Sequence, residues 1–274
     1  MSTNYTMPEL MVVVAAREIR DGDVVFVGMR LPLLAFQLAK ETHAPNAVGL
    51  FESGVLRATP APAPLFTMCD LPNLYQAIAC TEMQDVMALL QAGHVTLGFI
   101  GGAQIDRYGN LNTSYIGDVA NPTTRLPGSG GASDIAAHAG RLLIVMTHQR
   151  RRFVEKVDYI TSPGFGEGGN WRERVGLRGG GPSAVITTLG VLRFRPDSKE
   201  MYLTSHHPGV TVEEIRANTG WDLLVADDVH ETLPPTAEEL NILRRHDPEG
   251  FWTTESNLSK TAPTGARRRR WPLG

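Results

Sequence analysis

Three groups of residues in this chain have types and spacings that suit chemistry. The first is Glu52, which follows the apolar run Ala47, Val48, Leu50 and Phe51 and directly precedes Ser53-Gly54. The run reads as a short buried strand, and glycine permits a turn that other residues resist. The carboxylate therefore stands at a strand's C-terminal tip, the edge at which open α/β sheets keep their ligands. The bland alternative is an acid that simply faces water. The second group is Gly128-Ser129-Gly130-Gly131-Ala132, a glycine-rich stretch leading into a helix for which Ser133 and Asp134 are caps. Backbone N–H groups at such an entrance suit an oxyanion or a phosphate. The third is the basic cluster Arg150-Arg151-Arg152, which reads either as attraction for phosphates or as a solvated loop.

The elements that must position these groups follow from periodicity. Residues 9–20 carry a helical apolar stripe, and Val24–Val27 is a β-branched strand ending at Gly28. A second helix, with Pro32 in its first turn, runs to about Thr42 and leads to the Glu52 strand. Strand, helix and strand in roughly thirty residues make a βαβ unit with parallel strands. The prolines between 57 and 72 predict a surface loop near Glu52, and the apolar face of Asn73–Ala92 predicts a long helix. Val95–Ile100 is a further strand, ending in Gly101-Gly102. Three strand ends marked by Gly28, Ser53-Gly54 and Gly101-Gly102 thus share one edge. A hairpin is expected around Tyr108-Gly109-Asn110, and short strands at 141–146, 157–160, 184–188, 191–194, 201–205 and 221–226. The spacing also predicts an irregular excursion over 162–181 and helices over 212–219 and 237–245. The fold class is α/β, an open, mainly parallel sheet flanked by helices, with one domain over 1–251 and a mobile polar tail over 252–274.

Composition narrows the function classes. The chain has 274 residues, 42% hydrophobic and 20% charged, with a formal net charge of -3. That balance gives no electrostatic case for nucleic acid or an anionic membrane. No apolar run reaches the roughly 18 residues of a membrane span. Met1–Glu9 lacks a basic segment followed by an apolar core, so a cytoplasmic location without a signal peptide is expected. Cys69 and Cys80 have no metal or redox spacing and read as free thiols. Neither an H-E-x-x-H nor another metal motif is present, and His206-His207 read as surface or structural residues.

Several strings together resemble the B subunits of class I coenzyme A transferases, the glutaconate CoA-transferase type in particular. They are Phe51-Glu52-Ser53-Gly54, then Phe99-Ile100-Gly101-Gly102-Ala103-Gln104-Ile105-Asp106 with Tyr108-Gly109-Asn110. Gly128-Ser129-Gly130-Gly131-Ala132, Arg151-Arg152-Phe153 and Val157–Gly164 continue the match. Each is short, but their order and spacing are specific, and the similarity runs from about residue 10 to 250. The resemblance implies a homologous A subunit as partner, in a heterodimer or heterotetramer with the active site at the interface. It implies coenzyme A as the substrate thioester and no metal. It also implies that Glu52 is the nucleophile, forming an acyl-glutamyl anhydride and then a glutamyl-CoA thioester on the way to a second carboxylic acid. The oxyanion and CoA contacts expected of this chain come from Gly101, Gly102, Gly128, Ser129, Gly130 and Gly131, with a glutaconate- or methylglutaconate-like acyl group.

One departure stands out. The family carries small residues between the first strand's glycine and the Leu-Pro of the next helix, where this chain has Met29-Arg30. With Ser53 and Gly54 these are the expected substrate-binding residues. Arg30 can pair with a surface acid, hold the distal carboxylate of a dicarboxylic acyl group, or pair with Glu52 itself. The last would lower the acid's pKa and tie up the nucleophile. Relatives on this scaffold decarboxylate or hydrolyse CoA thioesters, so a glutaconyl-CoA-type decarboxylase, a thioester or ring hydrolase, and a non-catalytic partner of an active A subunit remain as alternatives.

Overall fold

The computed structural model describes residues 4–255. Its elements begin with α1 (Met7–Arg17), β1 (Val24–Phe26), α2 (Leu31–Glu41), β2 (Val48–Phe51), β3 (Val55–Arg57), α3 (Leu71–Leu74), β4 (Ala79–Cys80), α4 (Met83–Gln91) and β5 (Leu97–Ile100). The middle adds β6 (Gln104–Ile105), β7 (Leu111–Asn112), β8 (Tyr115–Gly117), β9 (Pro122–Arg125), α5 (Ala132–His138), β10 (Arg141–Met146) and α6 (Trp171–Arg174). Last come β11 (Pro182–Thr187), β12 (Gly190–Phe194), β13 (Met201–His206), α7 (Val212–Ala217), β14 (Leu224–Glu231) and α8 (Ala237–His246).

Ten strands form one sheet in the order β14-β13-β12-β11-β10-β5-β1-β2-β3-β4. Its centre, β11-β10-β5-β1-β2, is parallel throughout. Antiparallel pairs extend it on both sides, and β14 returns to parallel pairing on β13. The sheet is therefore mainly parallel at its centre with mixed flanks, as the α/β reading requires. From β1 the chain passes through α2 to β2 on one side, while β5 lies on the other side of β1. The strand ends of β1 and β5 thus border a topological switch point, where the chain leaves the sheet in opposite directions and opens a crevice.

Two apolar clusters fill the faces of the sheet. On one side α1 packs against α2, α8 and strands β10 and β11. Its residues Leu10 to Ala16 are all buried, which is why its sequence is apolar nearly all round. A capping box starts it: the Thr6 hydroxyl accepts from Glu9 N–H, and the Glu9 carboxylate accepts from Thr6 N–H at 2.8 Å. Such a cap contributes about 1 kcal/mol. On the other side α5 covers β5, and α4 packs against α5. Gly98 lets α5 come close, since a Cβ there would lie 2.4 Å from Ile135 Cγ2.

The structure corrects several expectations. Residues 73–92 are not one helix but α3, a left-handed Gln76 (φ 57°), the strand β4 and α4. Ile78 N–H donates to the Leu56 carbonyl, so sheet pairing with a distant segment interrupts the helical period. The chain after Gly54 returns as β3 before the proline-rich loop begins. Residues 157–160 form no strand; the stretch 122–132, which reads in sequence as a polar glycine-rich loop, begins as β9 paired with β8; and α5 starts one turn earlier with Gly131, not Ser133 or Asp134, as its N-cap. The expected tail begins as packed chain. Trp252 donates its indole N–H to the Leu65 carbonyl, and Thr253 is buried and bonded to Asp247. Its remainder, from 256, lies outside the described residues. No described helix is long and apolar enough to cross a membrane.

Candidate active site

Glu52 opens a three-residue loop, Glu52–Gly54, between β2 and β3. Gly54 N–H donates to the Phe51 carbonyl at 2.9 Å, and Phe51 pairs with Val55. A three-residue hairpin loop places its last residue in left-handed backbone, and Gly54 has φ +97°. The position is closed to any side chain: a Cβ there would sit 2.0 Å from the Thr81 carbonyl oxygen. Thr81 N–H donates in turn to the Gly54 carbonyl at 2.8 Å. Ser53 is half-buried and donates its hydroxyl to the Met68 carbonyl at 3.1 Å. Ser53 and Gly54 therefore fix the turn, and Glu52 alone of the three lines the neighbouring cleft.

That cleft, about 200 Å³, lies where β1, β2 and β5 end. Its walls are Phe26, Val27, Met29, Met68, Phe99, Ile100 and Ile135, with Gly28, Gly101 and Ser129 to Ala132 supplying backbone. Glu52 is the one ionisable side chain among these lining residues. Across from it stands Gly131, where an added Cβ would be 2.7 Å from Glu52 Oε1. The backbone N–H groups of Ser129, Gly130 and Gly131 find no acceptor among the described residues. A carboxylate, unpaired N–H donors and apolar walls together suit attack on a carbonyl and stabilisation of the oxyanion that results.

The sequence-predicted residues divide. Glu52, Met29, Gly101, Ser129, Gly130 and Gly131 are brought together in the cleft. Gly102 lies outside it, packed beneath Leu111, and its carbonyl accepts from Arg152 at 3.3 Å. Gly128 starts the loop further back, donating its N–H to the Thr113 carbonyl at 2.8 Å. Arg30 does not line the cleft; it is the exposed residue between Met29 and the first residue of α2. Its backbone, at φ 71° and ψ -124°, is that of the first central residue of a type II′ turn, a place normally held by glycine. Holding a non-glycine residue there costs on the order of 1–3 kcal/mol.

The basic cluster lies away from the cleft lining, with Arg150 and Arg151 exposed. Arg150 donates to the Ala217 and Thr219 carbonyls, Arg151 to the Gln149 side chain, and Arg152 to Gly102. His207 is buried between the Thr232 hydroxyl and the Thr187 carbonyl, and burial lowers its pKa to about 4. Cys69 and Cys80 are both exposed and unpaired. Among the described residues no group of three or more His, Cys, Asp or Glu could hold a metal.

Two buried arginines that no motif announced hold the site's walls. Arg57, fully buried, donates to the carbonyls of Thr59, Pro60, Pro72, Asn73 and Tyr75 at 2.6–3.1 Å. It thereby ties down the loop that brings Met68 to the cleft. Arg172 donates to the Ala136 and Ala137 carbonyls at the end of α5 and to Gly164 and Gly179. Burial lowers its pKa to about 10, so it remains a cation while fixing the helix that follows Gly131. No motif spacing could have marked either residue, because their acceptors are backbone carbonyls.

The model of the family described as Coenzyme A transferase matches residues 9–218. The chain belongs to the coenzyme A transferase family. It is 44% identical over 241 residues to the B subunit of 3-oxoadipate CoA-transferase from Pseudomonas knackmussii, covering 88% of this chain and 92% of that one. To the B subunit of glutaconate CoA-transferase from Acidaminococcus fermentans it is 39% identical over 252 residues, 90% and 94% of the two chains. The crystal structure of that glutaconate enzyme superposes with a TM-score of 0.85, covering 93% of this chain and 99% of the other. The decarboxylase AibA/AibB shares the fold at a TM-score of 0.79 and 27% identity, over 91% and 98% of the chains. The family resemblance and the α/β architecture read from sequence are both borne out.

Proposed function

We propose that this protein is the B-type chain of a two-subunit CoA-transferase that exchanges CoA between a dicarboxylic acid and another carboxylic acid. The observation that carries the reading is the Glu52 carboxylate, the one ionisable group lining an apolar cleft and facing the unpaired N–H groups before α5. A Glu52 oxygen attacks the thioester carbonyl, the C–S bond breaks, and CoA thiolate leaves behind an acyl-glutamyl anhydride. The thiolate then attacks the Glu52 carbonyl, releasing the first acid and forming a glutamyl-CoA thioester. A second carboxylate attacks that thioester, and the same two steps in reverse restore Glu52 and deliver the new acyl-CoA. Splitting the exchange in this way replaces one difficult displacement with two easier ones. Gly101 and the Ser129–Gly131 amides would receive the oxyanion of each tetrahedral intermediate.

The dicarboxylic acyl class is supported by the 3-oxoadipate and glutaconate transferases among the relatives. Both of those relatives are B chains of their enzymes by name, which supports a homologous A-type partner. An exposed apolar strip, Leu71, Leu74, Tyr75, Ile78 and Met83, runs along the β4 edge beside the Glu52 turn and suits such a partner. With that partner the assembly would be a heterodimer or heterotetramer, working on soluble CoA thioesters in the cytoplasm.

The test is to incubate the two-subunit complex with a dicarboxylic acyl-CoA and acetate, then add hydroxylamine or borohydride. Peptide mass spectrometry should find the hydroxamate or the reduced alcohol at Glu52, and Glu52→Gln should abolish both label and exchange. Release of CO₂ without an acceptor acid, and with Glu52 unlabelled, would replace transfer by decarboxylation. Exchange that survives in Glu52→Gln would assign the chemistry to the partner chain.

A further inference from the structure

We infer that the turn Arg150-Arg151-Arg152 is the site that receives the phosphate groups of the CoA nucleotide. The inference rests on the reading of the cleft as a site for CoA thioesters. It begins with charge that the fold leaves uncompensated. Arg17, Arg107, Arg141, Arg193, Arg244 and Arg245 each pair with a carboxylate, but among the described residues none of these three consecutive arginines does. Each guanidinium carries five N–H donors, and few are used. Arg150 donates to the Ala217 and Thr219 carbonyls, and Arg151 only to the Gln149 side chain at 2.9 Å. Arg152, half-buried, makes one long bond of 3.3 Å to the Gly102 carbonyl, and its buried Nε has no acceptor among the described residues. Burial first, and the adjacent Arg151 charge second, lower the Arg152 pKa below the usual arginine value. An anion bound here would offset both.

A merely solvated loop does not fit the backbone of this turn. Phe153 is fully buried and stacks on His148 at 3.7 Å. The Arg152 and Phe153 N–H groups both donate to the Gln149 carbonyl, and Ile105 N–H donates to the Arg152 carbonyl at 2.7 Å. The cations therefore stand on a fixed turn, and it shares the sheet edge of the cleft. β10 runs parallel to β5 with Ile144 beside Ile100, so both strands end there. Gly101 lines the cleft, and a Cβ on it would lie 3.0 Å from the Val145 carbonyl oxygen. Arg152 holds the next residue, Gly102. The cleft, about 200 Å³ with apolar side-chain walls and no cation among its lining residues, suits the acyl group and offers nothing to a nucleotide's phosphates. Those lie outside it. The pantetheine arm sets them roughly four residue lengths of extended chain from the sulfur, about 14 Å, which reaches past the Gly101 wall. Guanidinium forks match phosphate oxygens with paired N–H donors.

The experiment compares three unacylated ligands on the two-subunit complex: CoA, dephospho-CoA, which lacks the ribose phosphate, and pantetheine, which lacks every phosphate. Their Kd values are measured by calorimetry for the native chain, Arg151→Gln, Arg152→Gln and Arg152→Lys, beside thermal unfolding. The native complex should bind CoA at least about tenfold more tightly than pantetheine, the scale of one charge-assisted bond. Arg151 is exposed and bonded only to a neighbouring side chain. Arg151→Gln should therefore keep the unfolding midpoint and lose about threefold or more of the preference. Arg152→Gln should lose about tenfold, and Arg152→Lys should recover part of it. Pantetheine should bind every variant alike. A loss confined to CoA over dephospho-CoA assigns the turn to the ribose phosphate, and a loss confined to dephospho-CoA over pantetheine assigns it to the pyrophosphate. A native ratio near one, or a ratio unchanged in both glutamine variants, overturns the proposal, as does an equal weakening of pantetheine. Hydroxylamine trapping on the native complex with a dicarboxylic acyl-CoA separates this from the transferase reading. Label at Glu52 with a ratio unchanged in the variants defeats only the arginine turn, whereas a ratio lost in the variants without label at Glu52 defeats only the covalent role of Glu52.

Discussion

Gly131 lies so close to the Glu52 carboxylate that a methyl group on its Cα would stand 2.7 Å from Oε1. The backbone at Gly131, φ -76° and ψ -2°, accommodates alanine without strain, and the obstructing atom is the end of a mobile side chain. Gly131→Ala should therefore leave the unfolding free energy within about 1 kcal/mol of the native value. The carboxylate has to swing away, however, and a displacement of about an ångström costs on the order of a hundredfold in rate. Steady-state exchange and urea unfolding on the same preparation check both halves. Full activity in a stable Gly131→Ala would mean that the reacting carboxylate does not sit against Gly131.

Gly54 presents the opposite case. Its φ of +97° is unfavourable for alanine, and the added Cβ would meet the Thr81 carbonyl oxygen at 2.0 Å, which is backbone and cannot rotate aside. Strain and overlap together should make Gly54→Ala destabilising by at least about 3 kcal/mol. Denaturant unfolding measures the loss. A cost below about 1 kcal/mol would show that the turn and β4 readjust freely.

These two glycines also show what the sequence could and could not convey. The strands β1, β2 and β5 were legible because each is a short apolar run stopped by a turn residue, and the shared edge followed from the βαβ rule. Glu52 could be placed at that edge for the same reason. Gly54 was legible as a turn but not as a hairpin, because the pairing of Val55 with Phe51 leaves no mark in residue type. The segment 73–92 failed for a related reason: Leu74, Ala77, Ile78 and Met83 keep a helical period. Ile78 bonds Leu56, and Leu74, Ile78 and Met83 are exposed, so their apolar character reflects an outer surface and not a core. Val157–Ile160 failed because Tyr159 and Ile160 are exposed beyond the sheet. Arg57 and Arg172 were visible only as charges, since no residue pattern encodes bonds to distant carbonyls.

Arg57 yields a prediction about the cleft wall. Replacing it with methionine keeps the bulk and leaves the carbonyls of Thr59, Pro60, Pro72, Asn73 and Tyr75 without their donor. The Asn73 bond is buried and the other four are part-buried, so water can replace some of them. A buried acceptor left unpaired costs about 1–3 kcal/mol, and about 2–3 kcal/mol should be lost in total. Arg57→Lys should recover little of it, because an ammonium has three donors and lacks the planar fork. Limited proteolysis in native buffer should cut Arg57→Met within residues 58–76 while the native chain resists. Equal resistance of the two would show that the loop is held by other contacts.

His148 sets a dependence on acid. It is buried, stacked on Phe153 at 3.7 Å, with its ring nitrogens 3.2 Å from the Thr187 hydroxyl and 3.0 Å from that of Thr219. Burial lowers its pKa from 6.5 to about 3. Between those values the unfolded chain binds a proton that the folded chain refuses, so folding stability falls as pH drops below about 6.5 and is unaffected by this group above it. One such proton gives a slope of about 1.4 kcal/mol per pH unit. His207, lowered to about 4 by burial, acts in the same direction and persists when His148 is changed. His148→Gln keeps a donor and an acceptor for the two threonines and removes one titrating group. Urea unfolding at pH 4.5, 5.5, 6.5 and 7.5 should then show the acid-side slope reduced by about that amount, with the curves parallel above pH 6.5. Parallel curves across the whole range would mean that His148 already gains its proton in the folded protein.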